Sequence, residues 1–171
     1  MIKNTAVHSL VLLLAMILAF FFVSNPHLSD YSLQLTAVLV IFLILSHKIF
    51  QNPFFLLTES TVSTICVLLI TSSTGGLTSP FFFLNHFLLF ELSLLLEPSI
   101  SLVLTLGLMS FYLYTNQVGS SIHNFTVLLS FVFMTPLAYL VGRIYQRVKR
   151  QKIQIYFLSN KINKMQESMS P

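Results

Sequence analysis

Charge is scarce in this sequence. Of its 171 residues only nine are Lys or Arg and five are Asp or Glu, 8% together, against 55% hydrophobic and a mean hydropathy of +0.83. So few charges cannot solvate the surface of a soluble single-core domain, and that class is excluded. Cysteine is nearly absent too. The one present, Cys66, sits inside an apolar run, which rules out an intrachain disulfide and leaves the redox compartment unread. Enzyme signatures are missing: there is no H-E-x-x-H, no phosphate-binding glycine loop and no nucleophile–base pair. His8, His27, His47 and His123 are scattered near expected interfaces without metal-ligand spacing. No catalytic role, cofactor or metal is therefore expected. Internal repeats and paired broken helices, which mark many transporter sites, are not found either.

What the sequence does have is long apolar runs. Six of them, at residues 6–23, 31–47, 54–72, 80–97, 98–115 and 122–142, approach the roughly 20 apolar residues that a membrane-crossing helix needs. The connections between them are short. The expected fold is all-α: a polytopic membrane protein of about six transmembrane helices bundled over 1–142, then a cytoplasmic helix over 143–171. The first run, behind Lys3, is too long for a signal h-region and lacks an A-x-A-like site before Asn25, so it reads as a retained anchor. Pro53, Pro80 and Pro98 are each expected to open a helix, where a missing N–H costs nothing. Pro136, after Thr135 inside the last run, removes a backbone hydrogen bond and is expected to kink the helix as a hinge. Tyr31, Tyr112, Tyr114, Tyr139 and Tyr145 fall near expected interfaces, where aromatic belts form.

The basic residues set an orientation. If both termini lie on one side, the segments 1–5, 48–53, the 97/98 junction and the tail share that side. All nine cations fall there: Lys3, Lys48, Arg143, Arg147, Lys149, Arg150, Lys152, Lys161 and Lys164. The loops at 24–30, 73–79 and 116–121 carry none. The positive-inside rule then places both termini in the cytoplasm. Arg143, Arg147, Lys149, Arg150 and Lys152 cluster just inside the membrane, each worth on the order of 1 kcal/mol against anionic lipid headgroups. No nucleic-acid recognition module accompanies this charge, so nucleic acid is not an expected partner.

The tail also carries a heptad seam. From Ile144, alternating steps of four and three reach Val148, Gln151, Ile155, Leu158, Ile162, Met165 and Met169, and seven of these eight positions are apolar. With Val148, Ile155, Ile162 and Met169 at a, and Ile144, Gln151, Leu158 and Met165 at d, the chemistry favours a parallel two-stranded coiled coil. A homodimer through this helix is expected. Arg147 at g would face Lys152 at e, so the flanking charges do not help. Tyr156 and Phe157 lie off the seam and suit the alternative of a tail lying on the bilayer.

Polar residues inside apolar runs are candidate sites. Glu59 and Glu91 lie on antiparallel runs at about the same depth, roughly 8–9 Å inside the cytoplasmic boundary at 1.5 Å per residue. Two carboxylates close together in low dielectric cannot both ionise cheaply, so a protonatable or cation-binding pair is one reading. The bland alternative is a neutral acid bonded to Thr58, Thr61, Ser63 or Ser93, or Glu59 reached by Lys48. Glu97 lies at an inner helix end, within reach of the interface. Asn85 and His86, in the outer half of the fourth run, are candidates for ligand sensing or for polar contacts within the bundle. Between runs three and four, Thr71-Ser-Ser-Thr-Gly-Gly-Leu-Thr-Ser-Pro-Phe reads as a tight turn: Gly75 and Gly76 permit positive φ, and Thr74, Thr78 and Ser79 can satisfy its backbone.

That turn, Thr74-Gly75-Gly76 followed by Ser79-Pro80-Phe81 and a Phe/Leu-rich helix, resembles the membrane sensor region of bacterial multi-pass histidine kinases. The resemblance spans roughly residues 30–165 in architecture and implies a bundle that exits through a basic stalk, here from Arg143, into a PAS or dimerisation domain. These residues depart from the family in carrying no phospho-accepting histidine context, no asparagine box and no ATP lid; no histidine follows His123. The run Met165–Pro171 resembles the approach to a PAS domain, so a split or truncated kinase gene is one expectation and a free-standing module another. The expected function is a non-catalytic sensor or input module in a bacterial plasma membrane. Its partners would be the bilayer, a second copy, and a separate signalling kinase or PAS protein. The alternative is a small transporter or channel using Glu59 and Glu91.

Overall fold

The computed structural model describes the backbone of residues 2–49, 54–115 and 122–169, with side chains over 6–45, 56–115, 122–163 and at 165. The expected helix start at Pro53, the 116–121 loop, and the side chains of Lys3, His47, Lys48, Lys164 and Met169 lie outside the described residues. Seven helices account for nearly all of it: α1 Ile2–Ser24, α2 Pro26–Ser29, α3 Ser32–Ile49, α4 Phe54–Ser73, α5 Phe83–Leu95, α6 Ile100–Tyr114 and α7 Ile122–Met169. A 3-10 turn, Gly76–Thr78, precedes α5, and no strand occurs among the described residues. The fold is all-α, as the apolar runs predict.

Three helices are long and apolar enough to cross a membrane: α1 over Ala6–Ser24, α4 over Leu56–Ser73 and α7 over Ile122–Asn163. The segments Ser32–Leu45, Phe83–Leu95 and Ile100–Tyr114 are apolar but shorter. At 1.5 Å per residue α5 extends only about 20 Å, against roughly 30 Å of bilayer hydrocarbon.

Two helix starts differ from expectation. Pro80 precedes α5 by three residues and stands in a run of turns, where Ser79 is extended at φ −61 and ψ 133. The following residues wind in through 3-10-type bonds, Phe82 N–H to Ser79 O and Leu84 N–H to Phe81 O. Pro98 likewise sits in a turn whose carbonyl accepts the Ser101 N–H at 3.2 Å, two residues ahead of α6. In both places the proline's restriction on the residue before it favours an extended entry, and the helix begins only once the turn has closed. A helical turn that the sequence reading passed over, α2, is capped by Asn25, whose Oδ1 accepts the His27 N–H at 3.1 Å, with Pro26 at its first position.

The helices pack in an ordered series. α4 lies between α1, α3 and α5, while α6 lies between α1, α5 and α7. The core runs through Leu12, Met16, Leu68, Leu89, Leu92, Leu104, Leu108 and Phe131, each 4% exposed or less. Hydroxyls share this interior: Thr36, Ser60, Thr64, Ser93, Ser101, Thr105 and Thr135 are all buried. Most of them return a hydrogen bond to their own helix, as Thr64 does to Ser60 O at 2.7 Å and Thr105 to Ser101 O at 2.8 Å. The outer faces are apolar, with Leu10, Phe21, Val38, Ile44, Phe87 and Leu106 all at least 60% exposed. Hydroxyls inside and bare hydrocarbon outside is a distribution suited to lipid rather than to water.

Candidate functional site

The glycine turn forms as its residues predict. Gly75 takes φ +120 and Gly76 φ +60, and a Cβ on Gly75 would meet Thr78 Oγ1 at 3.1 Å. Thr74 Oγ1 bonds Ser79 Oγ across the turn, Thr78 Oγ1 donates to Gly75 O at 2.8 Å, and Ser79 Oγ accepts the Phe81 N–H at 3.1 Å. Thr74, Gly75, Gly76 and Ser79 are thus one closed unit, with Pro80 exposed at its rim. The turn is no solvent-facing hairpin, since Gly76 and Leu77 are buried and the segment packs against both α4 and α7.

Beneath it lies a polar and aromatic cluster. Asn85, on α5, is fully buried; its Nδ2 donates to Phe82 O at 3.1 Å, while Oδ1 has no hydrogen-bond partner among the described residues. The Tyr112 hydroxyl from α6 stands beside this amide and 2.9 Å from Thr71 Oγ1 on α4. Tyr112 is fully buried, which corrects its expected place in an interfacial belt. Tyr31 and Tyr114 remain more than 60% exposed. His86 bonds Ser130 Oγ of α7 at 2.9 Å and stacks on Phe131, with ring centroids 5.2 Å apart and planes at 29°. Phe82 joins His86, Tyr112 and Phe131 at centroid distances of 5.4 to 5.6 Å. Asn85 and His86, adjacent in sequence, therefore face different neighbours: Tyr112 of α6 for one, α7 for the other.

Glu91 reaches across to α4, the helix that carries Glu59. Ser63 Oγ donates to Glu91 Oε2 at 3.2 Å, and Glu59 lies near enough to act on that carboxyl by charge. All three are half-buried. Of the hydroxyls expected to serve them, Thr61 instead bonds Leu57 O at 2.7 Å and Ser93 bonds across to α7.

α7 is one helix through Pro136, with no break between its apolar part and its tail. A series of close contacts ties it to α5 and α6 on either side of that proline. Thr135 Oγ1 bonds Thr105 Oγ1, Ser93 Oγ donates to Ala138 O at 2.7 Å, and Gln146 Nε2 donates to Leu96 O at 2.9 Å. At Gly142 the helices approach so closely that a Cβ would come 2.7 Å from Ser93 O and overlap Ser93 Oγ. Sequence reasoning missed this clasp, although Thr135, Ala138, Gly142 and Gln146 share one helix face, a small-residue spacing that commonly marks helix contacts in membranes.

Beyond the clasp the described side chains of α7 are all exposed. The seam residues Ile144, Val148, Gln151, Ile155, Leu158, Ile162 and Met165 are exposed, but so are Ile153, Tyr156 and Phe157, so exposure does not single out the seam. Arg143, Arg147 and Arg150 line a shallow cleft of about 660 Å³ with Gln146, Gln151 and Gln154, while Lys149 and Lys152 take no part in it.

The chain matches no protein-family profile, no curated protein and no solved structure.

Proposed function

We propose that the chain is a non-catalytic integral membrane protein of the bacterial plasma membrane, serving as an input module for two-component-type signalling. In this reading α1, α3, α4, α5, α6 and α7 cross the bilayer and both termini lie in the cytoplasm, where the cations gather. The glycine turn and the Asn85–His86 cluster face the outer side and register a change there. α7 carries that change inward and pairs with α7 of a second copy, and a kinase or PAS domain of a separate protein is the recipient.

One observation carries the reading. α7 packs on the glycine turn, is held by His86 and Ser93, and continues as a single helix to Met169. A continuous helix passes a tilt or rotation at one end to the other, which a loop at residue 143 would absorb. Oxidative cross-linking in membranes tests it, with Cys66 replaced by Ser. Leu158→Cys, at a d position, is expected to cross-link efficiently and Asn160→Cys little; equal yields would remove the seam.

The contact of Ser63 with Glu91, with Glu59 alongside, supports a second reading, a small proton or cation transporter. It predicts flux in liposomes that disappears with Glu59→Gln or Glu91→Gln. Wild-type liposomes that pass neither protons nor cations would dismiss it.

A further inference from the structure

The five cations at the start of the tail are not equivalent. At about 100° per residue, Arg143, Arg147, Arg150 and Gln154 fall within about 60° of one another around α7. These residues line the cleft of about 660 Å³, with Gln146 and Gln151 at its flanks. Lys149 and Lys152 lie on the far side of the helix, more than about 100° away. The arginine face lies between the other two faces of α7 and shares its borders with them, Gln146 on one side and Ile144 and Gln151 on the other. The clasp residues Thr135, Ala138, Gly142 and Gln146 centre about 100° to one side of it, and the seam residues Ile144, Val148, Ile155 and Leu158 about 100° to the other. Ile144 and Gln151 of the seam border the cleft, so a second copy on the seam would flank this face without covering Arg143 and Arg150.

Three features suit this face to an oxyanion. The arginines are exposed, and none forms an ion pair with a carboxylate among the described residues. No acidic residue occurs along α7 before Glu167. Each guanidinium presents a planar fork of donors matched to two phosphate oxygens, which an ammonium cannot reproduce, and the glutamine amides add neutral donors. Gln146 is bonded to Leu96 O, which fixes the upper end of the face against the α5–α6 junction.

The geometry points to a built phosphate site: Arg143, Arg147 and Arg150 hold the headgroup of an anionic glycerophospholipid at the cytoplasmic boundary, by geometry rather than by summed charge. This rests on the membrane reading above, because the lipid is within reach only if α7 leaves the bilayer near Arg143. A diffuse basic collar responds to surface potential and counts lysine and arginine alike; a forked site does not.

Native mass spectrometry of the full chain, purified in detergent and supplied with phosphatidylglycerol or phosphatidylcholine, separates the two. The wild type is expected to retain phosphatidylglycerol about tenfold more tightly than phosphatidylcholine, about 1.4 kcal/mol. The triple variant R143K/R147K/R150K keeps every charge and is expected to lose most of that preference. K149Q/K152Q removes two charges and is expected to change it less than about threefold, because those charges lie on the far face of the helix and are screened there. Equal retention of the two lipids by the wild type overturns the site, and so does a lysine variant that loses as much as the arginine variant. Inorganic phosphate displacing the lipid at equal concentration overturns the lipid as the source of the oxyanion. Membrane residence is read separately, by whether the protein stays in the pellet after alkaline carbonate extraction. A protein that pellets but retains no lipid fails the site alone, whereas one that is extracted fails the membrane reading.

Discussion

Ser93 Oγ donates to the carbonyl oxygen of Ala138 at 2.7 Å, two residues past Pro136, and so joins α5 to α7 beside the turn where the proline removes a backbone donor. The same serine closes against Gly142 one turn further on. A single side chain thus sets both the polar bond and the closest approach of the two helices.

Gly142→Ala is expected to force α5 and α7 apart, because the added Cβ would meet the Ser93 backbone oxygen at 2.7 Å. Overpacking of this kind costs about 1–3 kcal/mol. The melting temperature in detergent should fall, and Ser93→Ala should not restore it, since the obstruction includes main chain. Full recovery in the double variant would mean that the side-chain hydroxyl alone made the contact.

Gly75→Ala should destabilise the outer turn by about 1–3 kcal/mol, the cost of a side chain held in a sparsely populated backbone region at φ +120. Limited proteolysis reads the effect locally, as faster cleavage between α4 and α5. Unchanged cleavage would show that the turn adopts another conformation at no cost.

Tyr112→Phe removes the hydroxyl that meets Thr71, and a loss of about 1 kcal/mol is expected. Asn85→Leu should do the opposite. The Tyr112 hydroxyl beside this amide keeps its bond to Thr71, the Asn85 Oδ1 is buried without a partner, and Phe82 O still accepts the Asn85 N–H at 3.0 Å when the side-chain donor goes. Thermal unfolding of Asn85→Leu should therefore be unchanged or raised, even though the residue is fully buried. A large fall would mean that Oδ1 has a partner when the protein sits in lipid.

Pro136→Ala restores a donor to the Val132 carbonyl within α7 and is expected to raise the melting temperature, since the proline side chain is exposed and little packing is lost. A fall would show that the helix contacts depend on the proline's shape. If Pro136 is also a hinge, cross-linking through Leu158→Cys should change in yield with the substitution.

Much of the fold was legible because apolar runs and helices are the same thing in a chain this poor in charge. All six runs hold helices, and the depth match of Glu59 and Glu91 followed from rise per residue alone. That Glu91 turns toward Ser63 of α4 was not legible, because depth fixes position along a helix and not around it. The same ambiguity misplaced Tyr112: a tyrosine near a helix end fits an interface or a core equally well until its face is known. Pro80 and Pro98 misled for a local reason, since proline opens a turn as readily as a helix. Three more residues were needed at Pro80, and two at Pro98, before a helix began. The clasp around Gly142 was written in small residues on one face, yet apolar sequence on every side hid the stripe.

The unbroken course of α7 has a mechanical consequence. From Gly142, where α5 grips it, to Met169 the helix extends about 40 Å at 1.5 Å per residue, and past the Gln146–Leu96 bond its described side chains are all exposed. It is a lever with its fulcrum near one end. A tilt of about 5° at the grip, within reach of one side chain shifting in a packed interface, sweeps the distal end through roughly 3.5 Å, by the same rise. Distance does the amplifying, and a longer arm would magnify the same small tilt further.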